Sequence, residues 1–228
     1  MITGLLNTRS FRPASHRTVG SRYAPRRSEP LAATTIYFVR HAAHTLLDKV
    51  LVGRKPGVPL SAEGLEQAHR LARQLAEKNI SRVVSSPRER AVQTAAPIAR
   101  AAGVPMAISF SLDEIDLGAW TGLAFDELAR DGNWNFWNML RSIARPPEGE
   151  SMSEVQERIV RYLARLHVTH PGERVVLVSH AEVIRTAVLA CQGRSLDSYA
   201  DVQIPPAGVV ELTIHDQGAQ LAAVGEAG

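Results

Sequence analysis

A single cysteine, Cys191, is the entire thiol content of the 228-residue chain. No internal disulfide framework can form from it, and no zinc site can be built on paired thiolates. No stretch approaches the roughly 18 consecutive apolar residues that a membrane-spanning helix needs, which argues against a membrane partner. There is no glycine-rich Walker loop and no Gly-x-Ser-x-Gly elbow, so P-loop nucleotide chemistry and serine-hydrolase chemistry both lack their signatures. Cys191 also lacks the downstream arginine with which a cysteine phosphatase closes its phosphate loop.

What is present is the composition of a globular protein. Apolar residues make up 45% and charged residues 21%, enough for a real core in one generous domain. The net charge of +3 is unevenly spread. Arg9, Arg12, Arg17, Arg22, Arg26 and Arg27 stand in the first segment against Glu29 alone, and the remainder is slightly acidic. That segment is rich in Ser, Pro and Gly and has no apolar periodicity. Residues 1–34 are therefore expected to be a disordered basic extension rather than a nucleic-acid surface, with 35–228 forming the domain. An Arg-rich, acid-poor N-terminus also fits a transit peptide or a start codon assigned too early.

From Thr35 the pattern changes. Thr35 to Val39 is a short β-branched and aromatic run that predicts a buried strand. Leu65, Ala68, Leu71, Ala72, Leu75 and Ala76 follow helical spacing within 61–78. Arg82 to Ser85 predicts a second strand. Ser86-Pro87-Arg88-Glu89 then reads as a helix start, with Ser86 as cap, Pro87 in the first turn and Glu89 completing a capping box. Met106 to Phe110 predicts a third strand. Trp120, Trp134 and Trp137 suggest a helical flap between Gly118 and Pro147. Ser151-Met152-Ser153-Glu154 opens another capped helix, and Arg174 to Ser179 is an almost wholly apolar strand of the kind covered on both faces. A helix from Ala181 and a strand from Val209, paired with Leu221 to Val224, complete the pattern. Strands alternating with helices predict an α/β fold, a three-layer α/β/α sandwich with a mostly parallel central sheet.

The chemistry collects where strands end. The first strand ends in Arg40-His41, the second leads to Arg88, and the long apolar strand ends in His180. Ligands of open α/β sheets sit beyond the carboxyl ends of the strands. Guanidiniums offer forked donors to phosphate oxygens, and Arg88 would stand in the first turn of a helix that already favours anions. A neutral imidazole can attack phosphorus. Glu114, in Asp113-Glu114-Ile115-Asp116, is the best-placed acid to protonate a leaving alkoxide.

These segments resemble the histidine phosphatase superfamily, which includes phosphoglycerate mutase-like proteins. Arg40-His41 is similar to its Arg-His motif, Ser85 to Ala95 to its second-arginine segment, Leu112 to Gly122 to its proton-donor segment, and Val178 to Arg185 to its second-histidine segment. The resemblance implies His41 as nucleophile and Arg40, Arg88 and His180 as phosphate clamps, with Glu114 as proton donor. It also implies a metal-independent, cofactor-free phosphatase acting on a small phosphorylated substrate, in the cytoplasm, with a homodimer allowed. The family's residues after Arg-His are replaced by Ala42-Ala43-His44, and its following asparagine by Leu47. Arg54 and His44 are therefore candidates for a substitute substrate contact. A phosphomutase is the alternative within the enzyme class, and a degenerate phospho-ligand-binding module the alternative outside it. His69, His167, His170 and His215 are expected at the surface.

Overall fold

The computed structural model of the protein describes residues 30–225. The extension expected to be disordered lies outside the described residues for 1–29. Residues 30–33 run up to the first strand, and the Leu31 amide donates to Asp216 Oδ2 at 3.0 Å.

Six strands form one mixed sheet: β1 (Thr34–Arg40), β2 (Arg82–Ser85), β3 (Met106–Ile108), β4 (Arg174–Ser179), β5 (Val209–His215) and β6 (Gly218–Gly225). Their spatial order is β3-β2-β4-β1-β5-β6. The pairs from β3 to β1 are parallel, whereas β5 runs antiparallel to β1 and β6 antiparallel to β5. Successive side chains of a strand face opposite ways, and here that alternation feeds two cores. Ile36, Phe38, Val175 and Leu177 face one, packed by α5 (Met152–Thr169) and α6 (Ala181–Cys191). Tyr37, Val39, Val176 and Val178 face the other, packed by α1 (Ala62–Ala76) and α2 (Glu89–Ala102). The result is the three-layer sandwich.

The stretch after β3 folds back over the carboxyl ends of the strands. It carries short 3-10 turns at Phe110–Leu112 and Gly118–Trp120, then α3 (Phe125–Leu128) and α4 (Gly132–Met139). Trp120, Trp134 and Trp137 pack against one another with ring centroids 5.3–5.7 Å apart, and the Trp120 indole N–H donates to Asp131 at 2.9 Å. This cluster joins the flap to the core on the α5–α6 face of the sheet.

Several local expectations are corrected. The capping box at Ser151 forms as read, but Ser86 does not cap α2. The helix starts at Glu89 with Arg88 in extended conformation at the cap position, and the Ser86 hydroxyl accepts from the Arg88 amide at 3.3 Å while also bonding His180. The third strand stops at Ile108, where a 3-10 turn begins after Ser109. His167 is buried, not at the surface. Its ring bonds Thr34 Oγ1 at 3.0 Å and Asp216 at 3.1 Å, tying α5 to the start of β1 and to the β5–β6 turn.

The loop that follows β1 is pinned by α1. Ser61 caps that helix by accepting from the Gly64 amide at 3.1 Å, and its own amide donates to Ala43 O at 3.0 Å. A Cβ at Gly64 would stand 1.9 Å from that carbonyl. Gly64→Ala is therefore expected to cost about 1–3 kcal/mol through overpacking, lowering the urea midpoint measurably. An unchanged midpoint would show that α1 is free to move away from the loop.

Candidate active site

His41 lies one residue beyond β1, buried, with its amide bonded to Ser179 O on the neighbouring strand. Its Nδ1 is 2.9 Å from Ala42 O. A carbonyl can only accept, so Nδ1 carries the proton and Nε2 keeps its lone pair. Arg90 Nε donates to that Nε2 at 3.2 Å. Burial, and then the positive charge of Arg90, hold the His41 pKa well below the ordinary histidine value. The imidazole is neutral near pH 7, with its free nitrogen aimed at a guanidinium.

Arg90 joins the other site groups. Its Nη2 donates to Gly53 O at 2.9 Å, meets His180 Nδ1 at 3.2 Å and lies 3.8 Å from Glu114 Oε2. Glu114 Oε2 is 3.4 Å from His180 Nδ1, and the rings of His41 and His180 are 5.1 Å apart. His180 is fully buried, and desolvation and Arg90 together keep it neutral. Its Nε2 lies 2.7 Å from Ser86 Oγ, which in turn reaches Asp113 Oδ1 at 3.5 Å. A hydroxyl donates as readily as it accepts, so Ser86 lets His180 carry its proton on either nitrogen. Desolvation raises the Glu114 pKa to about 7 against the opposing pull of Arg90, placing a carboxylic acid that can give or take a proton near neutrality beside His180.

A cavity of about 300 Å³ opens onto His41, Arg90 and Glu114. Arg40, His41, His44, Arg90 and Glu114 line its inner part. Arg40 Nη1 donates to Ile204 O at 2.7 Å, while its buried Nε has no protein acceptor. His44 lies 5.4 Å from His41 ring to ring; its Nδ1 accepts from the Leu46 amide, and burial lowers its pKa to about 4.

Two expected substrate contacts are not brought here. Arg88 grips Asp113 with both ends of its guanidinium, Nε at 2.7 Å and Nη2 at 2.6 Å, and Nη1 donates to Arg54 O. Arg88 precedes the helix in extended conformation, whereas Arg90 opens the buried stripe of α2 that runs on through Ala91, Thr94, Ala95 and Ile98, so Arg90 enters the site and Arg88 does not. Arg54 is likewise committed elsewhere, donating to Glu114 O at 2.7 Å and to Glu150 at 3.0 Å. Arg158 donates to Ser111 O, Asp113 O and Glu150. Arg54, Arg88 and Arg158 therefore fix the loop that carries Glu114.

Residues 36–227 match the histidine phosphatase superfamily (branch 1). The chain belongs to that superfamily. It is 28% identical over 185 residues to putative phosphoserine phosphatase 2 of Hydrogenobacter thermophilus, covering 80% of this chain and 90% of that protein. It is also 33% identical over 175 residues to bifunctional protein Rv2228c of Mycobacterium tuberculosis, covering 76% of this chain. The chain spans about half of that relative's length, 46%. Among solved structures, Bacillus stearothermophilus YhfR superposes with a TM-score of 0.79 at 24% identity, covering 85% of this chain and 97% of that one. Phosphoserine phosphatase of Entamoeba histolytica in complex with 3-phosphoglyceric acid gives 0.73 at 25%, covering 85% and 97%.

In this histidine phosphatase chain, Ala42-Ala43-His44 is a buried stretch held by its backbone. Ala42 is fully buried, with its amide donating to Thr94 Oγ1 at 3.0 Å, and the Ala43 carbonyl meets the first turn of α1. Sequence reading missed Arg90, Ser86, Asp113 and Arg158. For Arg90 a signal existed: it is the one charged residue on the apolar stripe of its helix.

The raised Glu114 pKa has a consequence for stability. Between the ordinary glutamate value of 4.5 and about 7, the folded state holds a proton that the unfolded state has lost, so this group's contribution falls as pH rises through that window. Glu114→Gln is expected to gain stability relative to the unsubstituted protein from pH 5 to pH 7.5 in urea unfolding. A constant difference across that range would mean that Glu114 titrates normally.

Proposed function

We propose that this chain is a phosphatase that hydrolyses a small phosphate monoester without a metal ion, through a phosphohistidine at His41. The observation that carries the reading is the bridge from His41 Nε2 through the Arg90 guanidinium to His180 Nδ1, with Glu114 within 3.4 Å of His180. In this mechanism Arg40, Arg90 and His180 hold the phosphoryl oxygens. The His41 Nε2 lone pair forms the N–P bond as the ester P–O bond breaks, and protonated Glu114 gives its proton to the departing alkoxide. Water then attacks phosphorus, Glu114 takes back a proton, and the N–P bond breaks to release phosphate. The guanidiniums supply the positive charge that a divalent ion supplies in other phosphatases.

The relatives support the class. Proteins named phosphoserine phosphatase and glucosyl-3-phosphoglycerate phosphatase share the family or the fold, and a cavity of about 300 Å³ suits a small ester. Among the described residues no helix is long and apolar enough to cross a membrane. We place the chain in the cytoplasm as part of the same proposal.

The two arginines near the start of α2 separate this reading from the assignment made from sequence. Arg90→Met is expected to lower kcat/KM on a phosphate ester by on the order of 10²–10³, the scale of losing one transition-state donor. Arg88→Met is expected to lose much less, since it acts through Asp113. The reverse ranking would return Arg88 to the phosphate. Chelation is expected to leave the rate unchanged, and a strict requirement for added divalent ion would contradict the mechanism.

A further inference from the structure

Three peptide planes link His41 to His44, and each is tied down from outside the loop. The first donates its N–H, at Ala42, to Thr94 Oγ1 on α2 at 3.0 Å. The third offers its carbonyl, at Ala43, to the Ser61 amide at 3.0 Å. The middle plane, between Ala42 and Ala43, is the one that touches the reacting ring. Its carbonyl, Ala42 O, accepts from His41 Nδ1 at 2.9 Å, and its N–H, at Ala43, donates to Gln67 Oε1 at 2.9 Å. A peptide unit is planar and trans, so its N–H and C=O point opposite ways and a bond that fixes one end aims the other. Gln67 therefore sets, across one peptide, where the acceptor of the His41 proton stands.

Gln67 is itself oriented. Its Nε2 donates to Glu63 Oε1, one turn back on α1, at 3.3 Å, which leaves Oε1 to face the Ala43 amide. The ring needs this hold at one moment in particular. In the empty site two bonds fix the same tautomer, since Arg90 Nε donates to His41 Nε2 while Ala42 O accepts from Nδ1. Once the Arg90 guanidinium turns to phosphoryl oxygens, the Ala42 carbonyl alone keeps the proton on Nδ1 and the lone pair on Nε2. As the N–P bond forms the imidazole gains positive charge, and a carbonyl already aimed at Nδ1–H stabilises that charge without rearranging. A middle peptide free to turn would carry its carbonyl away. The proton could then sit on Nε2 against a phosphoryl oxygen, leaving no lone pair for phosphorus.

We propose that Gln67 is a positioning residue for the reaction: by holding the Ala42–Ala43 peptide it keeps His41 in its Nδ1–H form while phosphate occupies the site. The proposal rests on the phosphatase reading for His41 as the attacking group. Gln67 touches neither the substrate nor the reacting atoms and acts through one peptide plane.

Gln67→Leu removes the acceptor at similar size. Rapid quench with nitrophenyl phosphate is expected to show phosphorylation of the protein slowed on the order of 10- to 100-fold, the scale for groups that orient a functional imidazole through its other nitrogen. The dissociation constant of inorganic phosphate should stay unchanged, because Arg40, Arg90 and His180 remain. The ¹⁵N spectrum of His41 with inorganic phosphate bound, assigned by the loss of its signals in His41→Ala, should show Nδ1 protonated and Nε2 bare in the unsubstituted protein. In Gln67→Leu it should shift towards the Nε2–H form. Exchanging the two side chains, Glu63→Gln with Gln67→Glu, keeps an acceptor for Ala43 and a donor to orient it, and should restore both readouts. An unchanged rate or an unchanged nitrogen pattern in Gln67→Leu overturns the proposal, as does failure of the exchange to restore them. A slower rate matched by an equal weakening of phosphate binding overturns it too, since Gln67 would then only hold the loop together. If Gln67→Leu does not fold, Gln67→Asn, too short to reach Ala43, is read by the same measures. Turnover of nitrophenyl phosphate by the unsubstituted protein keeps the two proposals apart. Its absence, with the nitrogen pattern still dependent on Gln67, would end the phosphatase reading and leave the control of the tautomer standing.

Discussion

A guanidinium held between two imidazoles sets the terms for everything around it. Arg90 is 2% exposed, and removing such a charge from water costs several kcal/mol unless its surroundings compensate. Here the compensation comes from a carbonyl at Gly53, from Glu114 and from the unprotonated Nε2 of His41, with His180 Nδ1 3.2 Å away. Burial, reinforced by the same charge, keeps both histidines neutral. One of them must be neutral to act as a nucleophile, so the structural solution and the chemical requirement coincide.

The fold supplies this arrangement by bringing three strand ends together. β1 and β4 lie side by side in register and end at Arg40 and Ser179, which sets His41 and His180 beside each other. β2 pairs with the far side of β4, so the helix that follows it delivers Arg90 into the gap. The acid arrives differently, on a loop without regular structure. Such a loop needs external restraint, and Arg54, Arg88 and Arg158 provide it through bonds to Asp113, Glu150 and the backbone of the loop itself.

Much of this was legible in the sequence because period and capping are local. The strand residues 36–39, the Ser151 capping box and the apolar run 175–178 each dictate their element without help from elsewhere. His41, His180 and Glu114 were legible as strand-end and loop chemistry. Arg88 and Arg90 were not separable by strand-end logic, since both stand near the start of one helix; only where the helix begins, and its packing against β2 and β4, leave Arg88 extended towards Asp113 and turn Arg90 inward. Ser86 was misread as the cap because the helix starts two residues later than its turn signal suggests; its hydroxyl holds the Arg88 amide and His180 together.

The central claim is that His41, through its unprotonated Nε2, becomes covalently phosphorylated. Rapid quenching of the protein after brief mixing with ³²P-labelled substrate, followed by peptide mapping, tests it directly. The account predicts acid-labile, base-stable label on the peptide carrying His41, and none in the His41→Ala protein. Label on a serine or an aspartate, or the same label with His41 replaced, would contradict it.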